Sequence, residues 1–179
     1  AGLGAHQTER LHRRLSARAE GAEVPARVRA ADPAKPGTRM VELRAVQAGF
    51  PFYGSLTLRD GRYSHALLEN HGALVRPELL TQFGLANGDR ILIGTQAFEI
   101  RGVITAEPGR RLGAFPLGPR VIIDQADLAS TGLLTFGSRA SYQLLLRVPD
   151  PAVDSLSEKL RQSLVNEFVG VRSYRSSED

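Results

Sequence analysis

The chain has 179 residues, of which 42% are apolar and 23% are charged, and its formal net charge is +4. This composition is typical of a globular protein with a real core and excludes a disordered chain. The chain has no cysteine, which excludes disulfide bonds and thiolate metal sites. Its mild excess of basic residues suits anions, but no run of alternating basic and aromatic residues appears, so nucleic acid is not a predicted partner.

The chain contains no predicted membrane segment. No apolar run approaches the roughly 20 residues that a membrane-spanning helix needs, and no signal peptide opens the chain. The two polar ends, "AGLGAHQTE" and "RSSED", predict a segment cut from a longer protein.

The first third of the chain is predicted to hold a helix and a hairpin. Leu11, Leu15 and Ala19 follow at four-residue steps, which predicts a helix over residues 8–22. Two extended runs around a Pro/Gly loop, "VPARVRA" and "TRMVELRAVQ", then predict a β-hairpin. The aromatic group Phe50, Phe52 and Tyr53 is either core filling, which is favoured, or a binding patch.

The middle of the chain is predicted to be mostly β-structure. A strand over residues 55–58 ends at an Asp-Gly turn, and a helix begins at Pro77 and ends at Gly84. Asn87-Gly88-Asp89 is a turn signal before a second hairpin, whose own turn is expected near Thr95-Gln96. A strand "RVIID" and a short helix capped at Asp124 are predicted to follow.

The loop between these elements, residues 107–119, is longer than a simple connection and carries charged side chains and an aromatic one. It carries Arg110, Arg111 and Phe115. A solvated turn is the plainer interpretation of the two arginines. Loops on a rigid scaffold also concentrate partner contacts, which makes Arg110, Arg111 and Phe115 candidate contact residues together with Phe50, Phe52 and Tyr53.

The last forty residues are predicted to form a β-α-β unit. "ASYQLLLRV" is an apolar strand, and a proline-initiated helix follows. The apolar stripe of this helix comprises Val153, Leu156, Leu160, Leu164 and Phe168. A second strand, "VGVRSY", predicts parallel strands covered by the helix.

No set of residues predicts catalysis. The chain lacks the Gly-x-Ser-x-Gly nucleophile elbow and the phosphate-binding loop with its Gly-Lys-Ser/Thr end. The spacing of His65 and His71 matches no common metal-binding pair, so both are interpreted as surface histidines. Asp124 and Asp127 are explained as caps of a short helix. The chain is therefore predicted to be no enzyme and to hold no cofactor, no metal ion and no catalytic residue.

Three stretches together resemble one family. They are "MVELRAVQAGFPFYGSLTL", "VRPELLTQFGLANGDRILIGTQAFEIRGVITAEPGR" and "LGPRVIIDQADLASTGLLTFGSRASYQLLLRV". Their order and spacing are similar to the extracytoplasmic region of FtsX-like ABC transporter permeases, in the YbbP branch related to MacB and LolC. The resemblance is continuous from about residue 39 to residue 148.

This resemblance implies an α+β fold in two parts. Residues 1–37 and 138–179 would form a porter-like α/β subdomain, and residues 38–137 an inserted, small, mostly β subdomain of the Sabre type. A full porter-type layout begins with a strand before the first helix, and "AGLGAHQ" departs from that pattern.

The resemblance also implies a mechanical function on the extracytoplasmic face of a bacterial inner membrane. The full-length permease would be anchored in the membrane and driven by a cytoplasmic ABC ATPase subunit. This periplasmic part would relay the motion to move or release a hydrophobic or lipid-linked cargo, or to engage a periplasmic protein. The isolated fragment is expected to be soluble and monomeric.

Two other hypotheses stay open. "GLANGDRILI" is also similar to hairpins of double-psi barrels, which predicts a small β-barrel with a ligand-binding or enzymatic function, although a second copy of the motif is missing. The third hypothesis is a lipid- or peptide-binding module with a groove lined by Phe50, Phe52, Phe115 and Leu117.

Overall fold

A computed structural model describes residues 17–108, 118–135, 140–167, 169–173 and 175. Eight strands and two α-helices are defined there. The strands are β1 (Ala17–Ala30), β2 (Arg39–Val46), β3 (Thr57–Leu58), β4 (Gly72–Val75), β5 (Arg90–Ile93), β6 (Gln96–Ala106), β7 (Arg120–Asp124) and β8 (Ser141–Arg147). The α-helices are α1 (Pro77–Phe83) and α2 (Val153–Ser163), and short 3-10 helices cover His65–Leu67, Gln125–Asp127, Ala129–Thr131 and Asp150–Ala152.

Six of the strands close into a barrel. Their hydrogen-bonded order is β2-β7-β4-β6-β5-β1, and β1 also pairs with β2, which completes the ring. The β2–β7 and β4–β6 pairs are parallel, and the other pairs of the ring are antiparallel. β3 pairs with β6 outside this ring, and β8 follows β1 in the sheet order. Closure removes the unpaired edges that an open sheet of these strands would have.

Alternating side chains of the barrel strands fill two separate cores. In β2, for example, Val41, Leu43 and Ala45 are buried in the main core, whereas Arg44 between them points to the other face. A second core lies on the outer face and comprises Val46, Phe50, Leu56, Leu58, Leu68, Leu74, Ile104 and Ile122. The two-residue period of a strand thus gives both faces of β4 and β7 an apolar layer.

Several predicted elements are confirmed. β1 and β2 form the predicted antiparallel hairpin. Helix α1 begins at Pro77 and ends at Gly84, whose φ of 63° is the left-handed conformation that glycine adopts at low cost. The β5–β6 hairpin is also present, and its turn is at Gly94-Thr95, one residue earlier than predicted.

Two predicted elements are wrong in the described ranges. Residues 17–22 are the start of β1 rather than the end of a helix, because Gly21 and Ala22 pair with Val46 and Ala45 of β2. The strand predicted at residues 169–174 is not found at residues 169–173, where Val169 is more than half exposed and no strand pairing forms. The predicted β-α-β unit therefore lacks its last strand over these residues; Tyr174 lies outside the described residues.

The chain divides into two compact units, residues 1–18 with 146–179, and residues 19–145. The predicted boundaries were 37/38 and 137/138. Most of β1 belongs to the larger unit because it pairs with both β2 and β5 of the barrel. The assignment of these units as porter-like and inserted subdomains stays a prediction.

The smaller unit contains α2 and the segment that follows it. Val153 at the start of α2 is buried, whereas Leu156, Leu160 and Leu164 of the predicted stripe are only partly covered. Arg175 Nη1 lies 2.6 Å from Asp154 Oδ2, which ties the end of the described chain to the first turn of α2. No helix in the described ranges combines the length and the apolar character needed to cross a membrane.

Candidate interaction surface

The aromatic segment after β2 has an inner and an outer part. Phe50 and Phe52 are buried, whereas Tyr53 is 61% exposed. Phe50 makes an edge-to-face contact with Tyr63, with ring centroids 6.0 Å apart, and Phe52 makes a similar contact with Tyr53 at 5.3 Å. Phe50 and Phe52 therefore fill the core, as the favoured interpretation had it, and Tyr53 is the exposed member of this group.

Two of the four residues predicted to line a groove in the third hypothesis, Phe50 and Phe52, lie within the described residues. Phe50 and Phe52 pack inward beside a cavity of only about 20 Å³, which they share with Gln143 and Leu145 among others. Such a volume holds a water molecule at most and admits neither a lipid chain nor a peptide. Phe115 and Leu117 lie outside the described residues, as do Arg110 and Arg111.

The base of the loop over residues 107–119 is fixed on both sides. Glu107 is only 4% exposed at its side chain, and its Oε1 lies 2.7 Å from Arg44 Nη1 while its Oε2 lies 3.3 Å from Arg120 Nε. At the other end of the loop, the Glu42 N–H donates to the Pro119 carbonyl at 3.1 Å. The loop thus leaves and rejoins the barrel at anchored points.

Glycines let the loop base pack closely against the barrel. A Cβ on Gly54 would lie 2.7 Å from Pro108 Cβ, and a Cβ on Gly118 would overlap the Met40 carbonyl. The aromatic segment therefore touches the start of the loop, and β2 touches its end. The residue after Tyr53 therefore lies against Pro108 at the start of the loop, whereas Arg110, Arg111 and Phe115 lie outside the described residues.

The anchoring side chains belong to a larger ionic network on the outer face of the barrel. Glu23 Oε1 lies 3.3 Å from Arg120 Nη1 and 3.8 Å from Arg44 Nε, and Glu42 Oε2 lies 3.6 Å from Arg120 Nη2. The Arg44 guanidinium also stacks over Phe50 at 4.9 Å from the ring centroid. Three strands, the aromatic segment and the loop base are thereby joined by one set of contacts.

The two histidines interpreted as surface residues are paired with carboxylates. His65 Nε2 lies 3.1 Å from Asp124 Oδ2, and His71 Nε2 lies 3.4 Å from Asp127 Oδ1. Asp124 does cap the following 3-10 helix through the Ala126 N–H, as predicted. Sequence reasoning missed the second role of both aspartates, because the partners are 56 to 59 residues apart and no local pattern marks them.

In the His65–Asp124 pair a carboxylate contacts one ring nitrogen of a histidine, as it does in a catalytic triad. A catalytic imidazole needs a nucleophile on its second ring nitrogen. Here His65 Nδ1 is buried without a hydrogen-bond partner, as is the hydroxyl of the neighbouring Tyr63. Burial and the nearby Asp124 charge raise the pKa of Tyr63 to about 12, so this phenol stays protonated at neutral pH. No group of three or more side chains that could hold a metal ion occurs in the described ranges.

A shallow groove lies beside α1. It has a volume of about 520 Å³, an apolar floor that includes Leu80, Leu85 and Val103, and a rim that includes Arg59 and Asp60. Its volume is within the range of small-molecule sites. Among the residues that line this groove, Asp60 is the only acid and no histidine, lysine or tyrosine accompanies it, so the lining supplies no paired acid and base.

The described residues form a closed barrel with an anchored loop base and contain no assembled catalytic set. Comparison with known proteins gives the class more closely. The chain belongs to the family of MacB-like periplasmic core domains, whose model matches residues 5–163. The predicted resemblance to the extracytoplasmic region of FtsX-like permeases is confirmed, and with it the extracytoplasmic location.

One curated relative supports the permease assignment. Over 106 residues the chain is 29% identical to a protein described as the uncharacterized ABC transporter permease YbbP of Escherichia coli (strain K12). The match covers 59% of this chain and 13% of that protein. The chain therefore spans a small part of this relative's length.

Solved structures share the fold at low identity. The extracellular domain of the noncanonical ABC-type transporter YknZ from Gram-positive bacteria has a TM-score of 0.57 at 14% identity, covering 88% of this chain and 79% of that one. A domain of a Porphyromonas gingivalis permease protein has a TM-score of 0.57 at 15% identity, with coverages of 94% and 71%. The periplasmic region of MacB from Actinobacillus actinomycetemcomitans has a TM-score of 0.55 at 13% identity, with coverages of 92% and 82%.

Proposed function

We propose that this chain is a non-catalytic relay in an ABC transporter permease. A cytoplasmic ATPase subunit would drive the membrane helices of the full-length protein, and this domain would carry their motion to the extracytoplasmic side. The observation that carries the proposal is the burial of Glu107 between Arg44 and Arg120, because it ties the start of the loop to β2 and β7 of a closed barrel, and Arg120 also contacts Glu23 of β1. A relay of this kind needs stiffness between its input and its contact surface.

The working surface in this proposal is the loop over residues 107–119 with Tyr53 beside it. Arg110, Arg111 and Phe115 would contact a hydrophobic or lipid-linked cargo, or a periplasmic protein. Phe50 and Phe52, which were predicted as contact residues too, would act from the core by holding the aromatic segment against the loop base. Barrel closure and two apolar layers would keep this surface in one shape while the whole domain moves.

A direct test uses the full-length permease reconstituted with its ATPase subunit in proteoliposomes, with a fluorescent phospholipid as the cargo probe. The combined change Arg110→Ala, Arg111→Ala and Phe115→Ala should lower ATP-dependent extraction of the probe about tenfold and leave ATP hydrolysis unchanged. The matched control Arg59→Ala, Arg62→Ala and Tyr142→Ala changes exposed residues elsewhere and should have no effect. Equal extraction by both variants would contradict the contact role of the loop.

A small ligand-binding or enzymatic barrel is the second candidate. The closed ring of six strands and the groove beside α1 favour it. It predicts that the purified chain binds or turns over a small molecule. Saturable hydrolysis of an ester, phosphoester or glycoside by the purified chain, abolished by Asp60→Ala at the groove rim, would support this candidate over the relay.

A further inference from the structure

A patch of arginines lies on the outer face of the barrel beside the ionic network, whose nearest member on β2, Glu42, is paired with Arg120. Arg27 and Arg29 project outward from β1, and the pairing register sets Met40 of β2 opposite Arg27 and Leu92 of β5 opposite Arg29. Arg90, two residues before Leu92, is exposed on the same face of β5. We call this set of five residues the basic face.

The arginines of the basic face are not used by the fold. None of the ion pairs formed within the described ranges includes Arg27, Arg29 or Arg90. Glu99 lies opposite Arg90 in the β5–β6 register, but its carboxylate is 3.4 Å from Arg101. By contrast, Arg44 and Arg120 each contact at least two carboxylates. Three exposed guanidinium groups on neighbouring strands therefore give this face a positive potential.

The basic face also has the residue types of a protein interface. Arginine and methionine are enriched in such interfaces, and Met40 is 40% exposed between the arginines and the loop. Gly118, at the end of the loop over residues 107–119, packs against the Met40 carbonyl, so the basic face is continuous with the loop base.

We propose that the basic face docks an acidic segment of a periplasmic protein, with carboxylates of the partner on Arg27, Arg29 and Arg90. A guanidinium binds a carboxylate through two parallel hydrogen bonds, which gives both charge and geometric selectivity. This inference rests on the proposed function and adds the chemistry of the partner. It predicts that the partner carries glutamates and aspartates, flanked by apolar side chains that contact Met40 and Leu92.

The test measures binding of the 179-residue chain to a fluorescent glutamate homopeptide, with a lysine homopeptide and vesicles of phosphatidylglycerol as the other probes. The chain should bind the glutamate peptide and not the lysine peptide, and about 1 M salt should abolish binding because the Debye length falls to about 3 Å. The change Arg27→Glu with Arg29→Glu should weaken peptide binding about tenfold. The matched control Arg59→Glu with Arg62→Glu should bind within about twofold of the unchanged chain.

Three results would overturn the inference. One is no preference for the glutamate peptide over the lysine peptide. Another is an equal loss of binding in both double variants, which would indicate a response to net charge. The third is vesicle binding that depends on Arg27 and Arg29 more strongly than peptide binding does, which would assign the basic face to a lipid surface. The lipid-extraction assay does not involve these residues, so its failure would contradict the relay and leave the docking result to stand separately.

Discussion

Arg44 and Glu107 form a 2.7 Å ion pair in which the carboxylate is almost fully buried. Arg44 lies on β2, and its guanidinium stacks over Phe50 of the aromatic segment. Glu107 is the first residue of the loop over residues 107–119. One contact therefore connects the barrel, the second core and the loop. An ion pair with a buried carboxylate is costly to break, because removing the carboxylate or a guanidinium leaves the other charge uncompensated.

Glu107→Gln should lower the free energy of unfolding by about 2–3 kcal/mol, because Arg44 and Arg120 lose the charge that lies between them. The matched control is Glu23→Gln, which removes a carboxylate from the same two arginines at a more exposed position and should cost about 0.5 kcal/mol. Urea unfolding of both variants measures the difference. Equal costs would show that burial of Glu107 does not anchor the loop base.

Gly94→Ala should destabilise the barrel by more than Gly84→Ala. Both glycines have a positive φ, 58° and 63°, so both substitutions carry the left-handed strain of about 1 kcal/mol. An added Cβ at Gly94 would also overlap the Thr131 carbonyl, whereas nothing lies within 4 Å of one at Gly84. We expect at least about 2 kcal/mol of extra cost at Gly94, measured by thermal or urea unfolding. Similar losses for the two variants would mean that the β5–β6 turn does not pack on residue 131.

Asp127→Ala should loosen the segment from His65 to Gly72. Asp127 accepts hydrogen bonds from the His71 N–H at 3.0 Å and contacts its ring, so we expect a loss of about 1–2 kcal/mol and faster amide exchange in that segment. Glu69→Ala is the control in the same segment, where the side chain is exposed, and should change stability by under about 0.5 kcal/mol. Unchanged amide exchange at residues 65–72 in Asp127→Ala would contradict the role of Asp127 in holding this segment.

Tyr63 should make the fold sensitive to strongly alkaline pH. Its pKa is about 12 in the folded protein and near 10.0 when unfolded, so the unfolded chain loses the proton first. Stability is therefore complete below pH 10 and falls as the pH rises towards 12, by about 1–2 kcal/mol after allowance for the partly exposed ring. Tyr63→Phe should remove this decline and cost little at neutral pH, because the hydroxyl has no hydrogen-bond partner. Unfolding curves at pH 9 to 12 (about one unit apart) for both proteins test it; parallel declines would contradict the assignment.

Local sequence signals were enough to predict several strands and a helix of the barrel. The helix from Pro77 to Gly84 and the hairpin after Asn87-Gly88-Asp89 were predicted because proline, glycine and turn residues act within a few positions. The start of β1 was not predicted, because the helical spacing of Leu11, Leu15 and Ala19 competes with the two-residue alternation that begins at Ala22. Pairing with β2 decides between them, and it depends on the folded sheet.

The contacts that define the candidate surface were beyond local reasoning. Arg44 and Glu107 are 63 residues apart, and Arg120 and Glu23 are 97 apart, so only the closed barrel brings them together. Barrel closure itself depends on β1 pairing with β5 as well as with its predicted hairpin partner β2, and the sequence does not mark β5 as a neighbour of β1. The family resemblance, by contrast, rests on the order of three long stretches, and such order survives at low identity.

The central claim is that the barrel moves as one stiff body, and spin-label distances in the full-length permease test it most directly. This chain has no cysteine of its own, so Arg62→Cys and Asn87→Cys give a label pair at exposed positions of the larger unit. We predict the same distance distribution between these labels with ADP and with ATP. An ATP-dependent change between residues 62 and 87 within one chain would contradict the account.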